Sequence, residues 1–168
     1  EELVSGKGEI LKYSFLSKEI GNFVDKKGFQ LDLIEGCADL KLKLVKEDPY
    51  ENKGKRIVLN LGHSFGHAFE TMWKLPHGIA VACGIGEVLR LFDMNDQIEL
   101  WHKRMQSLGF DISMERLTLK DVKKVLSVMQ NDKKKNAREV LTLIIPSSKT
   151  ILIKDVEFKE LEENFKDL

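Results

Sequence analysis

Apolar side chains recur at helical spacing along most of the chain. Residues 8–20 (GEILKYSFLSKEI) carry them at 10, 11, 15, 16 and 20, which predicts one amphipathic helix. Residues 30–47 predict a second, with a stripe at 33, 34, 37, 40, 44 and 45 facing a core. Asp48 to Lys55 (DPYENKGK) mixes Pro, Asn and Gly with charge and reads as a loop. A third helix includes His63 to Trp73, and Pro76 either ends that pattern or starts the next. A fourth helix, apolar on every side, runs from Gly78 to about Met94, and residues 96–107 make a fifth. Gly109 within Leu108-Gly109-Phe110 is a stop signal, because glycine takes the left-handed conformation at little cost. Thr118-Leu119-Lys120-Asp121 starts a sixth helix with a capping-box-like pattern.

One stretch departs from this period. Val140 to Ile145 (VLTLII) and Thr150 to Ile153 (TILI) are β-branched and apolar, separated by Pro146-Ser147-Ser148-Lys149. That order predicts a β-hairpin over residues 140–153. A short acidic helix over 155–166 closes the chain. No repeat, low-complexity tract or internal linker interrupts it. The expected fold is therefore mainly α, a single helical domain over 1–168 with one small hairpin.

Composition narrows the function classes. At 168 residues and 42% hydrophobic, the chain has enough apolar mass for one folded core. Lys plus Arg and Asp plus Glu both number 27, so there is no net positive charge of the kind a nucleic-acid-coating domain carries. The two cysteines, Cys37 and Cys83, make no disulfide framework and no Cys-x-x-Cys pair, which fits a reducing compartment and an expected cytoplasmic location. The glycine-rich apolar run from Gly78 stops at Glu87, too short to span a bilayer, and no signal-peptide pattern opens the chain. No membrane and no nucleic-acid partner is expected. The chain begins at Glu1, which suggests a piece of something longer.

Candidate chemistry concentrates in one segment. His63, His67 and His77 are three of the four histidines. His63 and His67 are four apart and share a helix face, flanked by Asn60 and Glu70. A divalent metal needs imidazole or carboxylate lone pairs converging from separate elements. The spacing equally suits two surface or packed histidines and a His77 that merely starts a helix. Glu9 and Lys12, three apart, read most simply as a solvated ion pair. Lys41 and Lys43 read as solvent-facing, and Lys133-Lys134-Lys135 as a basic turn before the hairpin. Cys83 reads as core, and His102 has no visible partner. There is no Gly-x-Gly-x-x-Gly phosphate loop and no Gly-x-Ser-x-Gly elbow.

The segment RIVLNLGHSFGHAFE (Arg56 to Glu70), followed by HGIAVACGI (His77 to Ile85), resembles the 3-dehydroquinate synthase family. That family carries R-x-x-L-N-x-G-H-[ST]-x-G-H-A-x-E and then H-G-E-A-V-A-x-G-M. SGKGEILKYSFL, LKLKLVKED and NDKKKN resemble three further family segments, so the likeness runs over nearly the whole chain. It covers the helical C-terminal domain only, without the family's N-terminal nucleotide-binding domain. The resemblance implies metal ligands at Glu9, His63 and His77, for Zn²⁺ or Co²⁺. It implies substrate contacts at Lys12, Lys41, Arg56, Asn60 and His67, and at the Asp132-Lys133-Lys134 turn. The implied reaction converts 3-deoxy-D-arabino-heptulosonate 7-phosphate to 3-dehydroquinate in the shikimate pathway, with loss of phosphate and transient oxidation by NAD⁺. No NAD⁺-binding residue falls within this chain. The implied partners are the N-terminal domain, the sugar-phosphate substrate and a second copy in a homodimer. This domain alone is expected to be inactive.

Three positions depart from the family pattern. Ile79 stands where H-G-E has its acid, which removes a carboxylate able to orient the neighbouring ligand. This leaves open a related cyclase with another sugar phosphate, or a non-catalytic metal-binding homologue. The 48–56 loop is one residue longer than usual, with Lys55 in place of Leu. Gly8 replaces Ala before Glu9. The last two changes read as tolerable.

Overall fold

The structure, a computed structural model, describes residues 2–110, 119–135 and 140–165, without the side chains of 119–120 and 132–135. Among these, the helices are α1 (Glu2–Leu16), α2 (Lys18–Lys27), α3 (Asp32–Glu47), α4 (His63–Trp73), α5 (His77–Leu91), α6 (Asn95–Ser107), α7 (Leu119–Lys135) and α8 (Phe158–Asn164). A 3-10 turn spans Arg56–Asn60, and strands β1 (Val140–Pro146) and β2 (Ile151–Glu157) precede α8. The mainly helical fold with a small antiparallel hairpin is as the periodicity predicts.

Local chemistry moves several boundaries. The helix expected over 8–20 is two helices. Ser17 sits in extended backbone (φ −132°, ψ 125°) and its Oγ accepts from the Ile20 N–H, the side-chain bond that favours a new helix start over continuation. The end of α1 is held by Arg104, which donates to the Ser14 carbonyl at 2.7 Å and pairs through two nitrogens with Asp25. Helix α5 stops at Leu91 instead of Met94. Strand β2 continues through Lys154 and Asp155 to Glu157, so α8 is shorter than the acidic helix expected over 155–166. The polar outer face of β2 hides its strand character, yet Val156 is buried and pairs with Leu141. Lys133–Lys135 belong to the last turn of α7 and not to a free turn. The expected start at Thr118 lies outside the described residues.

Helix α5 is the axis of the packing. Its Val81, Ala82, Ile85 and Leu89 join a core built with α1, α2, α3 and α6. Its Ala80, Cys83, Val88 and Leu91 join a second core made with α4, α7, α8 and the hairpin. A helix apolar on every side is the form that suits such double burial. Small residues let its neighbours approach to backbone contact. A Cβ built on Gly84 would lie 2.1 Å from the Gly62 carbonyl oxygen, and one on Gly66 would lie 3.3 Å from Ala80. These pairs run in opposite order, as expected for antiparallel helices joined by a short loop. On the other side, Trp101 of α6 lies over Gly86 and donates from Nε1 to the Ala82 carbonyl at 3.0 Å.

The loop between α3 and the 3-10 turn is built around one carboxylate. Asp48 is fully buried. Its Oδ1 accepts from the N–H groups of Asn52 and Lys53, and its Oδ2 from those of Lys55 and Arg56. Burial pushes this carboxyl up. The four backbone donors outweigh that and hold it below the usual carboxylate range. This one residue therefore folds the loop that delivers Arg56 and Asn60.

Three substitutions follow from this packing. Gly84→Ala should lower stability by about 2 kcal/mol or more, because the methyl meets fixed backbone. Gly36→Ala, mid-helix in α3 with nothing within 4 Å of the new methyl, should raise it by about 0.5–1 kcal/mol. Urea midpoints of the two variants check both signs. Asp48→Asn keeps one acceptor but turns an amide NH₂ toward two N–H donors, so its midpoint at neutral pH should fall. The stabilisation from a depressed carboxyl is full above its unfolded value of about 3.9 and is lost as pH falls through the folded value. Wild type should therefore weaken in acid more steeply than Asp48→Asn.

Candidate metal centre and adjoining cavity

Three elements converge on one point. Glu9 lies on α1, one turn before Tyr13. His63 opens α4 after Gly62, which takes the left-handed conformation (φ +77°). His77 opens α5 after Pro76, whose ring can occupy the start of a helix without a lost N–H. Glu9 Oε1 lies 3.8 Å from His63 Nε2 and 3.7 Å from His77 Nε2, and one donor atom from each residue falls within 4.8 Å of the others.

Neighbouring groups fix what each donor presents. The Leu61 carbonyl, 3.1 Å from His63 Nδ1, can only accept, so Nδ1 carries the proton and Nε2 offers a lone pair. The Glu70 carboxylate does the same for His77 through an Nδ1 contact of 3.0 Å. Burial and the nearby Lys12 charge keep the His63 ring toward its neutral form. On Glu9, Oε2 takes a hydrogen bond from Lys12 Nζ, while Oε1 is buried and has no hydrogen-bond partner. A buried carboxylate oxygen facing two imidazole lone pairs at these separations is short of a positive partner. Bonds of about 2.0–2.1 Å in a tetrahedron put ligand atoms ~3.4 Å apart, within a few tenths of an ångström of the two distances from Glu9 Oε1. The donor set therefore fits a divalent cation with a free coordination position.

Lys12 differs from the solvated partner its spacing suggests. It pairs with Glu9 at 2.6 Å but is only 3% exposed. Burial lowers its pKa, opposed by Glu9, and its Nζ rests 4.8 Å above the Tyr13 ring. Lys41 is exposed on α3, and its charge also lowers Lys12. Tyr13 is pushed up to about 12 and Cys37 up to about 11 by burial, so both stay protonated at neutral pH and neither offers an anionic nucleophile. Cys83 is core, as expected.

Beside the triad opens a cavity of about 590 Å³, lined by Asn60, His63, His67, Thr71, Asn131 and Thr142 among others. The His67 ring stands 5.6 Å from His63 and 6.4 Å from His77, and His63 and His67 both line the cavity. Arg56 starts the 3-10 turn, where Nη1 donates to the Pro49 carbonyl, and it is not part of the cavity wall. The side chains of Asp132, Lys133 and Lys134 lie outside the described residues.

Several residues of the site have no role that the sequence reveals. Glu70 closes the Arg56–Glu70 segment three residues after His67 without a stated role, and its partner proves to be His77. Glu51, at φ +54°, accepts from the Asn60 amide at 3.5 Å. Ser64, Thr71 and Asn131 give no signal, because small polar residues on helices are common. Ile79 packs against both apolar cores, and the carboxylate beside His77 comes from Glu70 instead.

Residues 6–135 match the family described as 3-dehydroquinate synthase C-terminal. The 3-dehydroquinate synthase of Pyrococcus furiosus is 39% identical over 61% of this chain and 34% of its own length. That of Staphylococcus carnosus is 32% identical over 99% of this chain and 50% of its own. A bifunctional 3-dehydroquinate synthase/phosphatase of Fusobacterium nucleatum is 32% identical over 99% of this chain and 28% of its own. The chain thus spans between about a quarter and a half of these relatives. With the match running from Gly6 on α1 through the whole of α7, and the site's three helices all inside it, the chain belongs to the 3-dehydroquinate synthase C-terminal family.

Proposed function

We propose that this chain is the metal- and substrate-binding part of a 3-dehydroquinate synthase, acting on 3-deoxy-D-arabino-heptulosonate 7-phosphate together with a nucleotide-binding part. The observation that carries the reading is the buried, unpartnered Glu9 Oε1 facing His63 Nε2 and His77 Nε2. A Zn²⁺ or Co²⁺ ion held there supplies Lewis acidity to adjacent substrate oxygens, and NAD⁺ from the other part supplies reversible oxidation.

This chain's residues supply placement and charge. Lys12 stays beside Glu9, where its ammonium offers donors to an anionic substrate as well as to the carboxylate. His67 and Asn60 face the cavity and suit the phosphate end, with imidazole N–H and amide N–H as donors. Arg56 and Lys41 stand outside that cavity and suit a carboxylate or phosphate approaching from the open side. Lys12 is buried, which keeps water from competing for its ammonium.

His77 keeps an orienting carboxylate in Glu70, a residue the family pattern carries alongside the acid that Ile79 replaces. A related cyclase remains the second reading, because the position differs from the family pattern.

Titration of the purified chain with Zn²⁺ and Co²⁺ tests the metal assignment. Tight 1:1 binding is expected, with a loss of at least about 100-fold in His63→Ala. Glu70→Ala should cost about 10–100-fold, as expected for removal of a carboxylate that orients a ligating imidazole. No binding by folded wild-type chain overturns the assignment. Phosphate release by a complete two-part protein tests the reaction. Release that needs NAD⁺, metal and His63 supports it, and none from a folded, metal-loaded protein sinks it.

A further inference from the structure

Lys12 is held between two groups of different kinds. On one side its Nζ donates to Glu9 Oε2 at 2.6 Å, its one hydrogen bond among the described residues. On the other it lies 4.8 Å from the centroid of the Tyr13 ring, inside the range over which a ring face attracts an ammonium. Lys12 and Tyr13 are both buried, so the attraction is stronger here than on a wet surface. The Tyr13 phenol stays protonated and meets the ammonium as a neutral ring. Where the ammonium sits decides what Glu9 has left to offer. A carboxylate has two oxygens and an ammonium three donors, so the pair itself does not select one oxygen. A Lys12 that slid to Oε1, or bridged both oxygens, would occupy the atom that faces His63 Nε2 and His77 Nε2. It does neither. Oε2 carries the bond, while Oε1 is buried and has no hydrogen-bond partner.

We infer that Tyr13 is a positioning residue whose ring face keeps the Lys12 ammonium on Glu9 Oε2 and so leaves Oε1 free for a divalent cation. The inference rests on the metal reading of the triad and adds a residue that supplies none of its three donor atoms. A buried oxygen without a partner is the one that gains most from an ammonium, so a second attraction is needed to hold Nζ away from Oε1. The ring contact is that attraction. The Lys41 charge repels Lys12 and offers no competing hold. Glu9, Lys12 and Tyr13 all lie on α1, so the clamp is local to one helix. One oxygen of Glu9 is balanced inside the protein, and the other is kept available.

The test changes the electron density of the ring while nearly keeping its shape, with Co²⁺ as the probe. In the full chain, Tyr13 is replaced by phenylalanine and by mono-, di- and trifluorinated phenylalanine, each alone and together with Lys12→Met. Every chain is measured for thermal midpoint without metal, Co²⁺ affinity, and the Co²⁺ visible bands, which report coordination geometry. Tyr13→Phe should bind Co²⁺ within about twofold of wild type, because the ring face is kept. Each fluorine withdraws density from that face, so affinity should fall stepwise, by about three- to tenfold at three fluorines, a loss of the size such contacts carry. With Lys12→Met the four chains should bind alike, because no ammonium remains to be misplaced. If the trifluorinated chain fails to fold, the step from phenylalanine to one fluorine carries the comparison. An affinity that does not respond to the fluorines, or a slope that persists unchanged with Lys12→Met, overturns the positioning role and leaves the metal reading intact. A folded wild-type chain that takes up no Co²⁺ overturns both.

Discussion

Everything in this fold leans on the backbone contacts of α5. Helix α4 meets it at Gly62 and Gly84, α1 meets it at Gly8 and Gly78, and Trp101 of α6 lies on Gly86. Side chains at these positions would hold the helices apart by a layer of atoms. Without them, each neighbour is fixed in both distance and rotation, because backbone cannot adopt a different rotamer. The apolar side chains of α5 then feed two separate cores, one on each side. Burial of those cores supplies most of the stability, and the glycine contacts supply the geometry.

That division explains where the site lies. His63 is the first residue of α4 and His77 the first of α5, so both imidazoles stand at helix N-termini, where the backbone dipoles favour negative charge. At His63 this acts in the same direction as the burial that keeps its ring toward the neutral form. Glu9 enters from α1 as the anion that this field favours, and Lys12 balances one of its two oxygens. The remaining oxygen and the two Nε2 lone pairs are the unbalanced part.

Much of the fold is legible because the chain writes its helices in period and punctuation. Gly109 and the run from Asp48 to Lys55 end helices where expected, and α5 is apolar on all sides as a helix buried twice must be. What escapes is instructive. The break at Ser17 needs Arg104, 90 positions from Ser14, to take up the freed carbonyl, and no local window contains that information. The second half of β2 is polar outward, so only its pairing with β1 marks it as a strand. Within the site, the histidines and Glu9 are legible through a family resemblance and not through spacing. Glu9 and Lys12 look solvated because three-residue spacing fixes a shared face but not which face is covered. Asp48 looks like an ordinary loop acid, since four backbone donors leave no side-chain trace in the sequence.

The same distinction decides how Ile79 bears on function. Read as letters, Ile79 removes an acid beside a ligand and looks consequential. Read as positions, Ile79 turns toward apolar neighbours from both cores, where a carboxylate would need a partner to repay its desolvation, and His77 keeps its bond to Glu70 at 3.0 Å. A change in side-chain chemistry matters only where the side chain reaches the site.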